Sequence, residues 1–161
     1  YEGKPVHFIG HLQTNKVNKV VGHVDLIQSV DRLNLLEAIE KEAAKQNIVQ
    51  DILFEINIGH EESKSGFSEE EAVALAAKID EFPHVFLRGL MAIPPVSKKI
   101  GDNCRFFEKI NIISVDISAK KTHNSSMDIL SMGMTDDFED AIACGSTMIR
   151  VGTAIFGARN Y

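Results

Sequence analysis

Six short apolar runs alternate with helical stretches along this chain, and no other feature of the sequence restricts its fold as much. The runs cover residues 6–10, 26–30, 51–58, 86–93, 129–132 and 148–151. Strands that alternate with helices build a parallel sheet through right-handed crossovers, which makes this an α/β fold. The helices between them are marked by their ends. Gln13 to Val21 reads as short and basic with Thr14 as its N-cap. Asp31 caps a long helix to about Gln46, with Leu33, Leu36, Ile39 and Ala43 on one face. Ser68 and Glu71 form a capping box for a helix to about Glu81. A fourth helix is expected over about residues 102–121. The fifth takes Thr135 as N-cap, gathers Asp136, Asp137 and Glu139 at its positive end, and stops at Gly145.

The third run says more about shape. Ile52, Phe54, Ile56 and Ile58 fall on one face, and Leu53, Glu55 and Asn57 on the other. A polar second face on a central parallel strand fits the inside of a barrel near a site. It suggests that reading over a sheet covered by helices on both faces. A closed (β/α)8 barrel takes about 250 residues. The 161 residues here supply six strand–helix units, so the pattern alone also fits an open, doubly wound sheet. No repeat or linker divides the chain, and residues 1–161 read as one domain.

The formal charge of -6 argues against non-specific nucleic-acid binding, and no apolar run is long enough to span a membrane. The two cysteines form no CxxC pair, and a reducing, cytoplasmic setting is the simple reading. None of the six histidines has metal-ligand spacing, and Asp136-Asp137 reads as first-turn acid rather than a metal site. Ser63-Lys64-Ser65-Gly66 lacks P-loop spacing and reads equally as a solvated turn or a ligand-facing loop.

In a parallel α/β protein the last two strands end at one face, which here carries Ser131, Gly133, Gly152 and Thr153. Small residues with free N–H groups or a hydroxyl suit a phosphate, although ordinary turn chemistry explains them as well. Arg150, inside the apolar strand MIRVG, cannot lose its charge and requires a partner. That partner is either a buried anion such as Glu55 or a ligand in the barrel mouth.

Five segments carry a resemblance. HFIGHLQTNK (residues 7–16), ESKSG (62–66), RGLMAIP (88–94), LSMGMTDDFEDAI (130–142) and GSTMIRVGTAIFGARNY (145–161) are similar to the pyridoxal phosphate homeostasis protein family, also called YggS/PROSC or alanine racemase-like. The match runs in order along essentially the whole chain. It implies a (β/α)8 TIM barrel of the alanine racemase N-terminal type, with six of the eight units in this chain. It also implies bound pyridoxal 5′-phosphate (PLP), a cytoplasmic monomer, and a role in PLP and amino-acid homeostasis without established turnover. By the same resemblance Ser131, Gly152 and Thr153 match the phosphate-binding positions. Arg150 matches the arginine at the pyridine nitrogen, and Met91 a residue near the cofactor. The family holds PLP as a Schiff base on a lysine of its first strand, expected upstream of Tyr1, so the chain reads as an N-terminally truncated fragment whose open sheet edges are expected to make it self-associate or leave it poorly stable.

Three functions compete on these residues. The first is a PLP-binding homeostasis protein without catalytic turnover. The second is a PLP-dependent racemase of the alanine type. It would need a second acid/base, usually a tyrosine from another domain, and the only tyrosines are Tyr1 and Tyr161. The third is a barrel enzyme acting on another phosphorylated metabolite. The tyrosine placement favours the first.

Overall fold

The computed structural model describes residues 3–61, 64–97 and 99–157. Six parallel strands stand in sequence order in one sheet: β1 (His7–Phe8), β2 (Leu26–Val30), β3 (Gln50–Ile56), β4 (Val85–Ala92), β5 (Ser125–Met134) and β6 (Met148–Arg150). Every pairing is parallel. The sheet curls into part of a barrel with α1 (Leu33–Gln46), α2 (Glu69–Ala76), α3 (Cys104–Ser118) and α4 (Phe138–Ala143) in its crossovers, and α5 (Thr153–Phe156) follows β6. Strictly sequential order distinguishes this sheet from a doubly wound one, in which the order reverses at a switch point.

Two apolar layers hold the curl. Outside the sheet, Ile52, Phe54 and Ile56 of β3 join Leu35, Leu36 and Ile39 of α1 and Phe107, Ile110 and Ile117 of α3 in one continuous core. Inside it, Leu26, Leu53 and Met91 form a second, smaller cluster with Ile129 and Met148. The alternation along β3 therefore marks an outer and an inner face as the sequence suggested. Leu53 falls inward to the small cluster while Ile52 and Phe54 face the helices.

Local expectations met different ends. The Ser68–Glu71 capping box forms, with the Ser68 hydroxyl accepting from the Glu71 N–H and the Glu71 carboxylate accepting from the Ser68 N–H. The helix it opens stops at Ala76, and a short 3-10 turn, Ile79–Glu81, follows before Pro83. A residue preceding proline is steered away from helical backbone, which fits the non-helical Phe82 at φ -117° and ψ 75°. The short basic helix is a 3-10 helix, Thr14–Lys19, and Thr14 lies inside it rather than capping it. Asp31 does not cap α1. Arg32 holds the N-cap position without a side-chain bond, because the Asp31 carboxylate is taken by Arg32 Nη1 at 2.5 Å and His11 Nδ1 at 3.3 Å. Thr135 does not cap α4 either. Asp137 stands at the N-cap position and its carboxylate accepts from the Met134 N–H at 2.7 Å. β5 also runs past Gly133, whose φ of 91° a residue with a side chain would resist.

Candidate functional site at the barrel mouth

The inner face of the sheet is layered from the N-terminal to the C-terminal ends of the strands. At the bottom, Arg88 bridges Asp51 at 3.1 Å and Asp128 at 2.5 Å. The small apolar cluster closes the middle. Above it the inward side chains become polar, and strand register explains which of them meet. Glu55 pairs with Met91, Met91 with Ser131, and Ser131 with Met148, so one row crosses four strands. Met91 and Ser131 are fully buried in that row.

Arg150, next inward after Met148, reaches back across the row. Its Nη1 donates to the Ser131 carbonyl at 2.7 Å and to Ser131 Oγ at 2.6 Å, and its Nη2 donates to the Ala92 carbonyl at 3.0 Å. Ser131 Oγ in turn donates to Gln28 Oε1 at 2.6 Å, and Gln28 Nε2 contacts His7 Nδ1 at 3.0 Å. Five strands thus feed one network.

The charge of Arg150 is held by neutral oxygens. Among the described residues no carboxylate lies within 4.0 Å of its guanidinium. Burial works against that charge, and the fields of Glu55 and Asp137 sustain it at longer range. Glu55 is pushed up to about 7, chiefly by burial and then by Asp31, with Arg150 pulling the other way. The expected alternatives for Arg150 thus resolve: it turns into the mouth and is not in contact with Glu55. Three of its five N–H donors are used, so its Nε–H and one Nη2 hydrogen stay available.

Gly152 and Thr153 follow directly, at the opening of α5, and both are exposed. β6 ends at Arg150, and Gly152 has helical backbone, so strand alternation does not carry through to it. Across the mouth, Glu55, Asn57, Lys64, Ser65 and Ile93 line a cavity of about 270 Å³. Lys64 pairs with Glu61 at 2.6 Å. Ser63 and both tyrosines lie outside the described residues. Ser131, Met91 and Arg150 are therefore brought together, while Gly152 and Thr153 follow Arg150 in the chain and share no hydrogen bond with Ser131 or Met91 among the described residues. Gln28 is a member of the network that the sequence reading passed over. Its signal was a glutamine within the otherwise apolar start of LIQSV, a strand buried throughout.

A family model, alanine racemase, N-terminal domain, matches residues 2–160. The chain belongs to that family. A pyridoxal phosphate homeostasis protein of Haemophilus influenzae is 45% identical over 155 residues, which cover 96% of this chain and 65% of that protein. Its counterpart in Aquifex aeolicus is also 45% identical over 155 residues, covering 96% of this chain and 67% of that one. The chain thus spans about two thirds of the length of these relatives. The structure of PipY from Synechococcus elongatus, solved with PLP bound, superposes with a TM-score of 0.84 at 29% identity over 94% of this chain and 69% of that chain. An alanine racemase of Clostridium difficile shares the fold, with a TM-score of 0.74 at 15% identity over 98% of this chain and 40% of its own. The six sequential parallel strands are accordingly part of an alanine racemase-type (β/α)8 barrel. No helix among the described residues is long and apolar enough to cross a membrane.

Proposed function

We propose that this chain binds PLP in the mouth of its partial barrel and serves PLP and amino-acid homeostasis rather than racemisation. The observation that carries the reading is Arg150, a half-buried cation with no contacting anion among the described residues and with donors to spare. A partly desolvated charge of that kind favours a ligand that brings acceptors or negative charge to it. Relatives named for PLP homeostasis and a PLP-bound neighbour point to the same ligand. Residues 1–161 act in this reading as a single PLP-binding barrel unit, with PLP as the small-molecule partner and the cytoplasm as the setting.

The residues present fit the group. Arg150 would face the pyridine nitrogen, Met91 would border the ring, and Ser131 with the N–H groups of Gly152 and Thr153 would hold the phosphate. The Ser131 hydroxyl is fully buried and shared between Arg150 and Gln28, so it would join them only by giving up its bond to Gln28 and gaining access to the mouth. PLP supplies an electron-withdrawing ring, and an arginine at its nitrogen keeps that ring a weaker electron sink than a carboxylate would. That disfavours broad carbanion chemistry and suits a racemase or a carrier alike, so the preference for a carrier rests on the relatives named for PLP homeostasis.

The test is an absorbance and fluorescence titration with PLP, run against Arg150→Ala. Saturable binding weakened at least about tenfold by the substitution supports the reading. Equal binding by both proteins overturns it.

A further inference from the structure

The mouth holds a second charged group that the network around Arg150 does not use. Glu55 lies on the inward face of β3, in register with Met91 and one step above fully buried Leu53. Glu55 lines the 270 Å³ cavity, and among the described residues nothing donates a hydrogen bond to its carboxylate. A half-buried carboxylate without a donor is poorly stabilised as an anion.

The charges that face it come from each neighbouring element. Asp31 at the end of β2 repels its anion, although His11 and Arg32 already occupy the Asp31 oxygens. Arg150 from β6 attracts it without touching it. Asp137, beyond β5, acts on Arg150. Lys64, on the loop after β3, lines the same cavity but is committed to Glu61. At the mouth β4 brings Met91, and Ile93 follows it, neither charged, while Arg88 of β4 lies at the far end of the inner face with Asp51 and Asp128.

We propose that Glu55 is a proton switch for this mouth, its ionisation setting how much positive field Arg150 offers to an anionic, phosphate-bearing ligand. With Glu55 protonated, Arg150 acts unopposed and the ligand binds tightly. With Glu55 ionised, its charge opposes that of the ligand in a partly desolvated cavity, where like charges repel more strongly than in water. Ligand binding therefore takes up a proton at Glu55, and affinity falls as pH rises through the neutral range. The glutamate raised to about 7 by burial places the switch there. The inference rests on the reading that the mouth takes PLP.

The probe is pyridoxine 5′-phosphate, which keeps the ring and phosphate but has no aldehyde, so lysine protonation does not enter. Its affinity is measured from pH 6 to 8 for the 161-residue chain and for Glu55→Gln. The wild-type curve should weaken about tenfold more than the variant's over that range, since the variant shares the ligand's own titration but not the switch. In parallel, the Glu55 side-chain carboxyl carbon is followed by 13C NMR in the wild type, which needs no variant to fold. It should titrate near neutrality and move to higher pH when the ligand is added. Parallel affinity curves, or a Glu55 carbon titrating in the ordinary carboxylate range, overturn the switch. Absence of binding by either protein at every pH overturns the PLP reading beneath it, whatever the NMR shows of Glu55.

Discussion

Ser131 Oγ sits 2.6 Å from Arg150 Nη1 and donates to Gln28 Oε1 at the same distance, so one fully buried hydroxyl ties the last strand to the second across the barrel interior. Ser131→Ala would strip Gln28 Oε1 of that donor and remove an acceptor from Arg150. The loss should cost about 1–3 kcal/mol of folding stability, read as a lowered urea midpoint at unchanged slope. PLP affinity should drop as well, by about 1.5–3 kcal/mol where the hydroxyl meets the phosphate. Unchanged PLP affinity with lowered stability would leave Ser131 a purely structural residue.

Much of this was legible beforehand, for identifiable reasons. The parallel sense of six strands followed from strand–helix alternation, because right-handed crossovers return each strand in the same direction, while their sequential order was left open between a barrel and a doubly wound sheet. The inward face of β3 showed in the alternation of Leu53 and Glu55 with Ile52, Phe54 and Ile56, and Arg150 showed as a charge in an apolar run. The caps at Asp31 and Thr135 were misread because short polar side chains have several partners to choose from. Asp31 went to His11 and Arg32, and Asp137 displaced Thr135 by accepting from Met134. Gln28 was missed because its role depends on Ser131, 103 positions away, and local pattern carries no such information.

Glycine positions that look alike in the sequence should behave oppositely. Gly89 in β4 has φ of +154°, and a Cβ there would lie 1.8 Å from the Ile129 carbonyl oxygen on β5. Gly10 has nothing within 4 Å of where its Cβ would be. Gly89→Ala should destabilise by more than about 3 kcal/mol or prevent folding, because β4 and β5 must separate to admit it. Gly10→Ala should stay within about 0.5 kcal/mol. Chemical denaturation of the two variants side by side checks the contrast.

The capping box gives a milder effect. Ser68→Ala removes the acceptor for the Glu71 N–H at the start of α2. A cost of about 1 kcal/mol is expected, with the barrel interior untouched. Thermal unfolding should show the loss while PLP titration shows none.

Stability should carry the signature of Glu55. Its carboxyl is raised from an ordinary 4.5 to about 7, so between those values the folded state holds more protons than the unfolded one. The stability that the neutral acid contributes is complete below about 4.5 and is lost as pH rises through 7. Glu55→Gln should match the wild type near pH 4 and exceed it at pH 8. With the partial exposure of the group allowed for, the gain is about 1–2 kcal/mol. Urea midpoints across that pH range decide the sign, and a variant less stable than wild type at pH 8 would contradict it.

The sheet's edges bear on association. β1 contributes two residues and β6 three, and each pairs with a single neighbour among the described residues. Beside β6, Ile142, Ile149, Ile155 and Phe156 are all exposed, Phe156 by 85%. An unpaired strand edge next to apolar surface is a template for another chain. The 161-residue polypeptide should therefore self-associate as its concentration rises. Light scattering coupled to size exclusion should show the mass climbing above that of one chain. Ile149→Lys places a charge on the exposed side of the edge strand and should return the protein towards monomer. A monodisperse monomer at all concentrations, melting cooperatively, would show that the short strands and their twist already protect the edge.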